Sequence, residues 1–159
     1  MAFLCRNTAT NGQAIFPEKC IGEWIGMMQI FQKGQLRDSV SVKLTVKKID
    51  SSSFSWKTEY LSEKMPVTKD YVLRRIDKSK NKYVTDEGDG VLLEVAVFDN
   101  KCYSVFETDG IMLTSRYELI APDTLSFEVT SSRLSTSFGS ELKNYDMSNL
   151  QTVVFKKLK

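Results

Sequence analysis

The first predicted strand begins inside the segment Cys20-Ile21-Gly22-Glu23-Trp24-Ile25-Gly26-Met27-Met28-Gln29-Ile30-Phe31. Pro17 stands just before it, and proline followed by an acidic residue is typical of the start of a short helical turn. A Gly-x-Trp sequence that leads into a long first strand, with hairpins after it, is typical of small antiparallel barrels. The segment therefore predicts that the rest of the chain adds strands to this one.

Alternating apolar and polar residues continue through most of the chain. In the second predicted strand, Val40, Val42, Leu44 and Val46 share one face, as a half-buried strand requires. Asp109-Gly110 lies between two such runs and is a strong hairpin signal. The predicted strands are Glu23–Gln32, Leu36–Ile49, Phe54–Tyr60, Val67–Asp77, Lys82–Asp86, Val91–Phe98, Lys101–Thr108, Ile111–Ile120, Thr124–Ser132 and Gln151–Leu158.

These strands predict an all-β fold, an up-and-down antiparallel β-barrel of about 8–10 strands, because short hairpins join neighbours and closure removes exposed sheet edges. We expect a single domain over residues 1–159, with an irregular N-terminal arm at 1–14. The polar segment Ser135–Asn149 precedes the last strand, and a turn of helix could form at Ser140–Asn144.

Composition excludes several classes of function. The 22 basic and 20 acidic residues give a net charge of +2, which offers no electrostatic case for binding nucleic acid. No apolar run reaches the roughly 18 residues of a membrane span. The chain has no histidine, which removes Ser-His-Asp and Cys-His catalysis and histidine-ligated zinc or haem. We therefore expect no enzyme activity, no cofactor and no metal.

Two further features leave alternatives open. Cys5, Cys20 and Cys102 form no Cys-x-x-Cys pair, and we expect Cys20 and Cys102 to be buried thiols, with a disulfide as the alternative. The acidic turn Asp86-Glu87-Gly88-Asp89 lacks the loop pattern of a calcium site and is interpreted as a solvated hairpin tip. The compartment is undecided: secreted or periplasmic if a signal peptide was removed, otherwise cytoplasmic.

At Gly22-Glu23-Trp24 the chain resembles the calycin superfamily, which includes lipocalins, fatty-acid-binding proteins, avidins and nitrobindin-like barrels. Among these it is most similar to lipocalin-like barrel proteins of bacteria. The resemblance extends over nearly the whole chain and implies a barrel that binds or transports a small hydrophobic molecule, such as a fatty acid or another lipid.

The chain also departs from these relatives. Lys33-Gly34-Gln35 leaves no room for the two helices of fatty-acid-binding proteins, and their C-terminal Arg-x-Tyr is missing. Lipocalins stack an arginine of the last strand over the Gly-x-Trp indole. Strand parity brings the end of the last strand to the same end as Trp24, where the chain offers Lys156 and Lys157. We expect Lys157 to cover the ring, so that Trp24 and Lys157 plug the barrel.

The inward strand faces supply the predicted ligand-binding residues: Val42, Leu44, Phe54, Trp56, Tyr60, Tyr71, Tyr117, Phe127 and Arg133. Arg133 would meet an acidic head group at the mouth. Two alternatives stay open. One is a protein-interaction module with a filled barrel and with contacts through Ser62–Pro66 and Ser135–Asn149, and the other is a lipid isomerase or cyclase. The protein partner is unknown.

Overall fold

The structure is a computed structural model that describes residues 14–136 and 141–159. Within these two ranges, one short helix precedes ten strands, and every strand is antiparallel to its neighbours. The elements are α1 (Phe16–Lys19), β1 (Gly22–Gln32), β2 (Gln35–Lys48), β3 (Ser53–Tyr60), β4 (Val67–Asp77), β5 (Lys82–Gly88), β6 (Val91–Phe98), β7 (Lys101–Thr108), β8 (Ile111–Ala121), β9 (Thr124–Ser135) and β10 (Asn144–Lys157).

Consecutive strands pair in order, and β10 returns to pair with β1, so the sheet closes into an up-and-down barrel. The prediction of an all-β, up-and-down antiparallel barrel is therefore confirmed. Tight turns explain the connectivity. Asp109 and Gly110 have φ values of 50° and 71°, and a two-residue turn with both φ values positive matches the twist of the strands that it joins.

The last strand differs from its prediction. β10 begins at Asn144 rather than Gln151, and Tyr145 to Met147 pair with Leu134 to Ser132 of β9. The expected helical turn at Ser140–Asn144 was wrong: residues 141–143 are not helical, Asn144 is already in the strand, and Ser140 lies outside the described residues. Polar composition suggested a loop, but an exposed strand end also carries polar side chains. The arm at 1–14 lies outside the described residues except for Ala14.

The closed end of the barrel is packed around Trp24, which is fully buried. Its indole Nε1 donates a hydrogen bond to the carbonyl of Cys20 at 2.8 Å, at the end of α1. Lys157 Nζ lies 5.1 Å from the centre of the Trp24 ring. A Cβ on Gly22 would lie 2.6 Å from Lys157 Cε, so glycine at this position leaves space for the lysine stem.

The two strands β6 and β7 pair over only part of their length. Each has eight residues, but their ladder registers only Ala96 with Tyr103, Val97 with Cys102 and Phe98 with Lys101. Farther from the turn, the Ser104 hydroxyl donates a hydrogen bond to the Glu94 carbonyl at 2.7 Å. The ladder between β6 and β7 is therefore the shortest in the barrel, and its gap lies toward the end opposite Trp24.

Candidate functional site

A cavity of about 180 Å³ lies inside the barrel, among the inward faces of β3 to β10. Most of its wall is apolar, as expected where inward positions of alternating strands meet. The apolar wall is formed by Leu73, Leu93, Val95, Phe106, Leu113, Phe127 and Val129. The barrel is therefore not completely filled by its own side chains. The alternative of a protein-interaction module had required a filled barrel.

Trp56 forms the side of the cavity nearest the closed end. Its ring stacks on Phe16 of α1, with the ring centroids 6.3 Å apart, and meets Tyr117 edge-on at 5.2 Å. Tyr117 in turn packs against Phe127 at 4.4 Å. We call this side of the cavity its floor. The aromatic contacts connect the floor to α1 below it and to the wall beside it.

The floor also carries polar atoms. Burial raises the pKa of the Tyr117 hydroxyl, and the nearby Trp56 and Thr58 side chains partly oppose that rise in pKa. Although Trp56 Nε1 lies near Tyr117, the two groups are not in hydrogen-bonding geometry, and Nε1 has no hydrogen-bond partner in the described part of the chain. Trp56 is only 6% exposed, so its donor is also shielded from solvent.

The polar side chains nearer the open end include one residue of each charge. Lys69 Nζ lies 5.9 Å from the centre of the Tyr60 ring. Burial and the nearby Glu87 carboxylate raise the pKa of Tyr71 to about 12. Lys69, Tyr71 and Glu87 all line the cavity, so a ligand that enters from this end passes a cation, a neutral phenol and a carboxylate.

The predicted ligand-binding residues fall into two groups. Five line the cavity: Trp56, Tyr60, Tyr71, Tyr117 and Phe127. Val42, Leu44 and Phe54 are outside the lining, fully buried in the packed core, and Arg133 is exposed near the open end of β9. Alternation correctly placed the first three on the inward face, but it carries no information on their height along the barrel. That any of these nine residues binds a ligand stays a prediction.

Several lining residues were not among the predicted ligand-binding residues. Lys69 lies on the inward face of β4 with Tyr71, and Glu87 lies on the inward face of β5 with Tyr83. The period of two therefore indicated an inward position for both residues, but their charge suggested that they lie on the surface. Cys102 also lines the cavity. Cys20 and Cys102 are buried free thiols, and burial raises the pKa of Cys102 to about 12, so this thiol stays protonated at neutral pH.

The acidic turn of β5 and β6 is explained by local contacts. Asp86 forms a 2.8 Å ion pair with Arg74 and accepts a hydrogen bond from the Gly88 amide at 3.0 Å. Across residues 14–136 and 141–159, no group of three or more acidic, cysteine or histidine side chains is placed to hold a metal ion. In the same ranges no helix has the length and apolarity needed to cross a membrane.

Solved structures with the same fold include proteins of quite different sequence. An S-type phycobiliprotein lyase, CPES from Guillardia theta, superposes with a TM-score of 0.64 and 13% identity over 91% of both chains. A protein of unknown function from the DUF3598 family of Nostoc punctiforme gives a TM-score of 0.63 and 16% identity over 89% of this chain. Rv2717c from M. tuberculosis gives a TM-score of 0.57 and 10% identity, over 89% of this chain and 94% of that chain.

The match to the Nostoc punctiforme protein covers 49% of that chain, so the present chain spans about half its length. No protein-family model matches the sequence, and no curated protein matches it. At these identities the likeness concerns the fold. The chain has a calycin-like barrel of ten antiparallel strands, as the Gly22-Glu23-Trp24 resemblance predicted, and the barrel holds an internal cavity.

Proposed function

We propose that this protein binds a small, largely apolar molecule inside the barrel. The observation that carries the proposal is the 180 Å³ cavity, with its wall of Leu, Val and Phe side chains. An apolar cavity of roughly 150 Å³ is large enough to hold benzene, whereas pockets for drug-sized molecules begin at roughly 300 Å³. The volume therefore favours a compact ligand, such as a ring system or a short acyl chain, over a fully enclosed long-chain fatty acid.

Two phenols and a buried thiol of the cavity support binding rather than catalysis. Burial raises the pKa values of Tyr71, Tyr117 and Cys102, so at neutral pH all three are uncharged. In that state they are weak bases and weak nucleophiles, but the phenols can form hydrogen bonds to a ligand. None of these three side chains is therefore assigned a catalytic role.

Native mass spectrometry of the freshly purified protein tests for a ligand that is already bound. We expect mass above that of the bare chain, lost on denaturation. Uptake of indane and of decanoic acid is then measured by calorimetry and by the rise in melting temperature that a ligand of the folded state produces. We expect indane to bind more tightly than decanoic acid once the difference in their apolarity is taken into account. The reason is that indane fits the cavity.

A matched pair of variants locates the site. Val129→Trp places a large side chain in the cavity, and Thr130→Trp places the same side chain at the neighbouring position on the other face of β9. We expect Val129→Trp to lose indane binding while remaining folded, and Thr130→Trp to bind as the unmodified protein does. Equal binding by both variants, or no uptake by the unmodified protein, would overturn the proposal.

A further inference from the structure

A second cavity, of about 490 Å³, lies on the surface at the closed end of the barrel. We call it the closed-end groove. It lies beside the end of α1, the turn between β6 and β7, and the ends of β8 and β10, and its described lining residues are Lys19, Asn100, Leu119, Ile120, Ala121, Pro122 and Lys157. No described residue lines both this groove and the internal cavity, so the two are separate places on the molecule.

The apolar side of the closed-end groove comes from an irregularity at the end of β8. Leu119 pairs with Leu125 and Ala121 pairs with Thr124, so Ile120 is an extra residue on β8, as in a β-bulge. Its side chain is 59% exposed. Pro122 follows and is also exposed. The groove therefore offers uncovered apolar surface.

The polar side of the closed-end groove carries two half-buried lysines, Lys19 and Lys157. Lys19 Nζ donates a hydrogen bond to Asn100 Oδ1 at 2.9 Å, and Lys157 Nζ lies 5.1 Å from the centre of the Trp24 ring. Both partners are neutral, so they hold the ammonium groups in place without compensating the charge. The two positive charges also reach the Cys20 thiol, where they partly oppose the rise in pKa that burial causes.

The neighbouring carboxylates do not compensate these lysines. Glu18 precedes Lys19 in the chain but forms its ion pair with Lys48, at 2.7 Å. Asp123 follows Pro122, and its carboxylate lies 3.8 Å from Nζ of the exposed Lys156. Neither groove lysine has an ion-pair partner among the described residues. Charges that are partly withdrawn from water are usually paired, so the groove is complementary to an anion.

We propose that the closed-end groove is a second binding site, for a small amphipathic organic acid. Its carboxylate lies at Lys19 and Lys157, and its apolar part covers Ile120 and Pro122. An inorganic anion would leave the apolar surface exposed, and an uncharged apolar molecule would leave both lysines without a counter-ion. The acid is a different ligand from the one proposed for the internal cavity.

Octanoate and 1-octanol test the proposal, because they have the same chain length and differ in charge. Dissociation constants come from NMR titrations that follow the backbone amides of Asn100 and Ile120. Lys19→Gln removes one charge and keeps a donor for Asn100, whereas Lys156→Gln removes the same charge from an exposed lysine beside Lys157. We expect Lys19→Gln to weaken octanoate binding by about 2- to 5-fold, as for loss of one ion pair near the surface. Lys156→Gln should bind octanoate as the unmodified protein does.

The same titrations contain the outcomes that would overturn the proposal. Octanoate should give saturable shifts at both amides and bind more tightly than 1-octanol, and added salt should reduce that preference. Shifts that do not saturate, equal affinities for the two probes, or equal losses in Lys19→Gln and Lys156→Gln would contradict a site in the groove. Indane binding tests the internal cavity separately, so either proposal can fail without the other.

Discussion

Lys157 and Trp24 pack against each other at the closed end of the barrel. They lie opposite each other in the pairing of β1 with β10, and the ammonium group is 5.1 Å from the centre of the indole ring. A cation over an indole face is worth about 0.5–1 kcal/mol where solvent can reach it. The lysine stem also covers Gly22, so the contact combines charge with packing.

Replacing Lys157 by Met keeps most of the stem and removes the charge. We expect Lys157→Met to lower the free energy of unfolding by about 0.5–1 kcal/mol, because only the cation–π attraction is lost. Urea denaturation followed by tryptophan fluorescence measures the change. Lys159→Met, at an exposed position beyond β10, serves as the control and should match the unmodified protein. Equal stability of the two variants would show that Lys157 contributes no cation–π stabilisation.

Among the elements, the seam between β1 and β10 closes the barrel, and Gly26 lies in it. A Cβ at this position would lie 2.6 Å from Val153 Cγ2 and 2.7 Å from the Val154 carbonyl oxygen. Because the second of these atoms belongs to the backbone of the facing strand, the clash cannot be relieved by a side-chain rotation alone. The close approach explains why the first strand has a glycine in its interior, where glycine is otherwise unfavourable.

Gly26→Ala is therefore expected to destabilise the barrel by about 1–3 kcal/mol, the usual cost of forcing extra atoms into a packed region. Gly34→Ala is the comparison, since a Cβ there meets nothing within 4 Å and only its positive φ of 75° opposes the change. Urea midpoints of both variants measure the difference. A Gly26→Ala protein that is more stable than Gly34→Ala would contradict a tight seam.

The short ladder between β6 and β7 gives a prediction for hydrogen exchange. Counting outward from the Asp99-Asn100 turn, the amides of Glu94 and Val105 point into the gap beyond the last registered pair. The amide of Val95 points instead toward β5, where Val95 pairs with Tyr83. We expect the Glu94 and Val105 amides to exchange faster than that of Val95, as measured by NMR. Similar protection of all three would mean that the ladder continues in solution.

At the scale of the whole molecule, the distribution of ionisable groups predicts how stability depends on pH. Four carboxylates have lowered pKa values, and in each case the leading cause is a hydrogen bond that the carboxylate accepts. The pairs are Glu18 with Lys48, Asp50 with Ser52, Asp77 with Ser79 and Asp123 with Thr124. A carboxylate with a lowered pKa in the folded state stabilises the fold above its unfolded pKa of about 4. That contribution disappears as pH falls through the folded-state pKa.

At alkaline pH the sign is reversed. Burial raises the pKa values of Cys20, Cys102 and the tyrosines Tyr60, Tyr71, Tyr83 and Tyr117. Their contribution to the stability of the fold is complete below the pKa values of the unfolded state, about 8.5 for Cys and 10 for Tyr. It is lost as the pH rises above those values. Because the chain has no histidine, we expect urea midpoints to be flat between about pH 6 and 7.5 and to fall on both sides. A step near pH 6.5 would contradict this account.

The local pattern of the sequence was sufficient for the strands and their order. Alternation of apolar and polar residues defines the inward face of each strand, and Asp-Gly pairs mark the turns, so the prediction of a barrel needed only information carried by neighbouring residues. The same reasoning failed at β10, where Asn144 to Ser148 form a mostly exposed strand. Tyr145 and Met147 alternate with polar residues there, but an alternation of two apolar residues is too short to reveal a strand. Pairing with β9 across the sheet, which no local pattern encodes, holds that segment extended.

Only the tertiary structure decided which inward residues line a cavity. Val42, Leu44 and Trp56 all face inward, yet the first two are sealed in the core and Trp56 borders open space. The difference depends on the height of each residue along the barrel, on strand tilt and on how much interior volume the opposing side chains fill. Each of these quantities depends on all ten strands together. A period of two therefore determines the face of a residue, whereas the closed barrel determines its place at the floor, in the wall or near the open end.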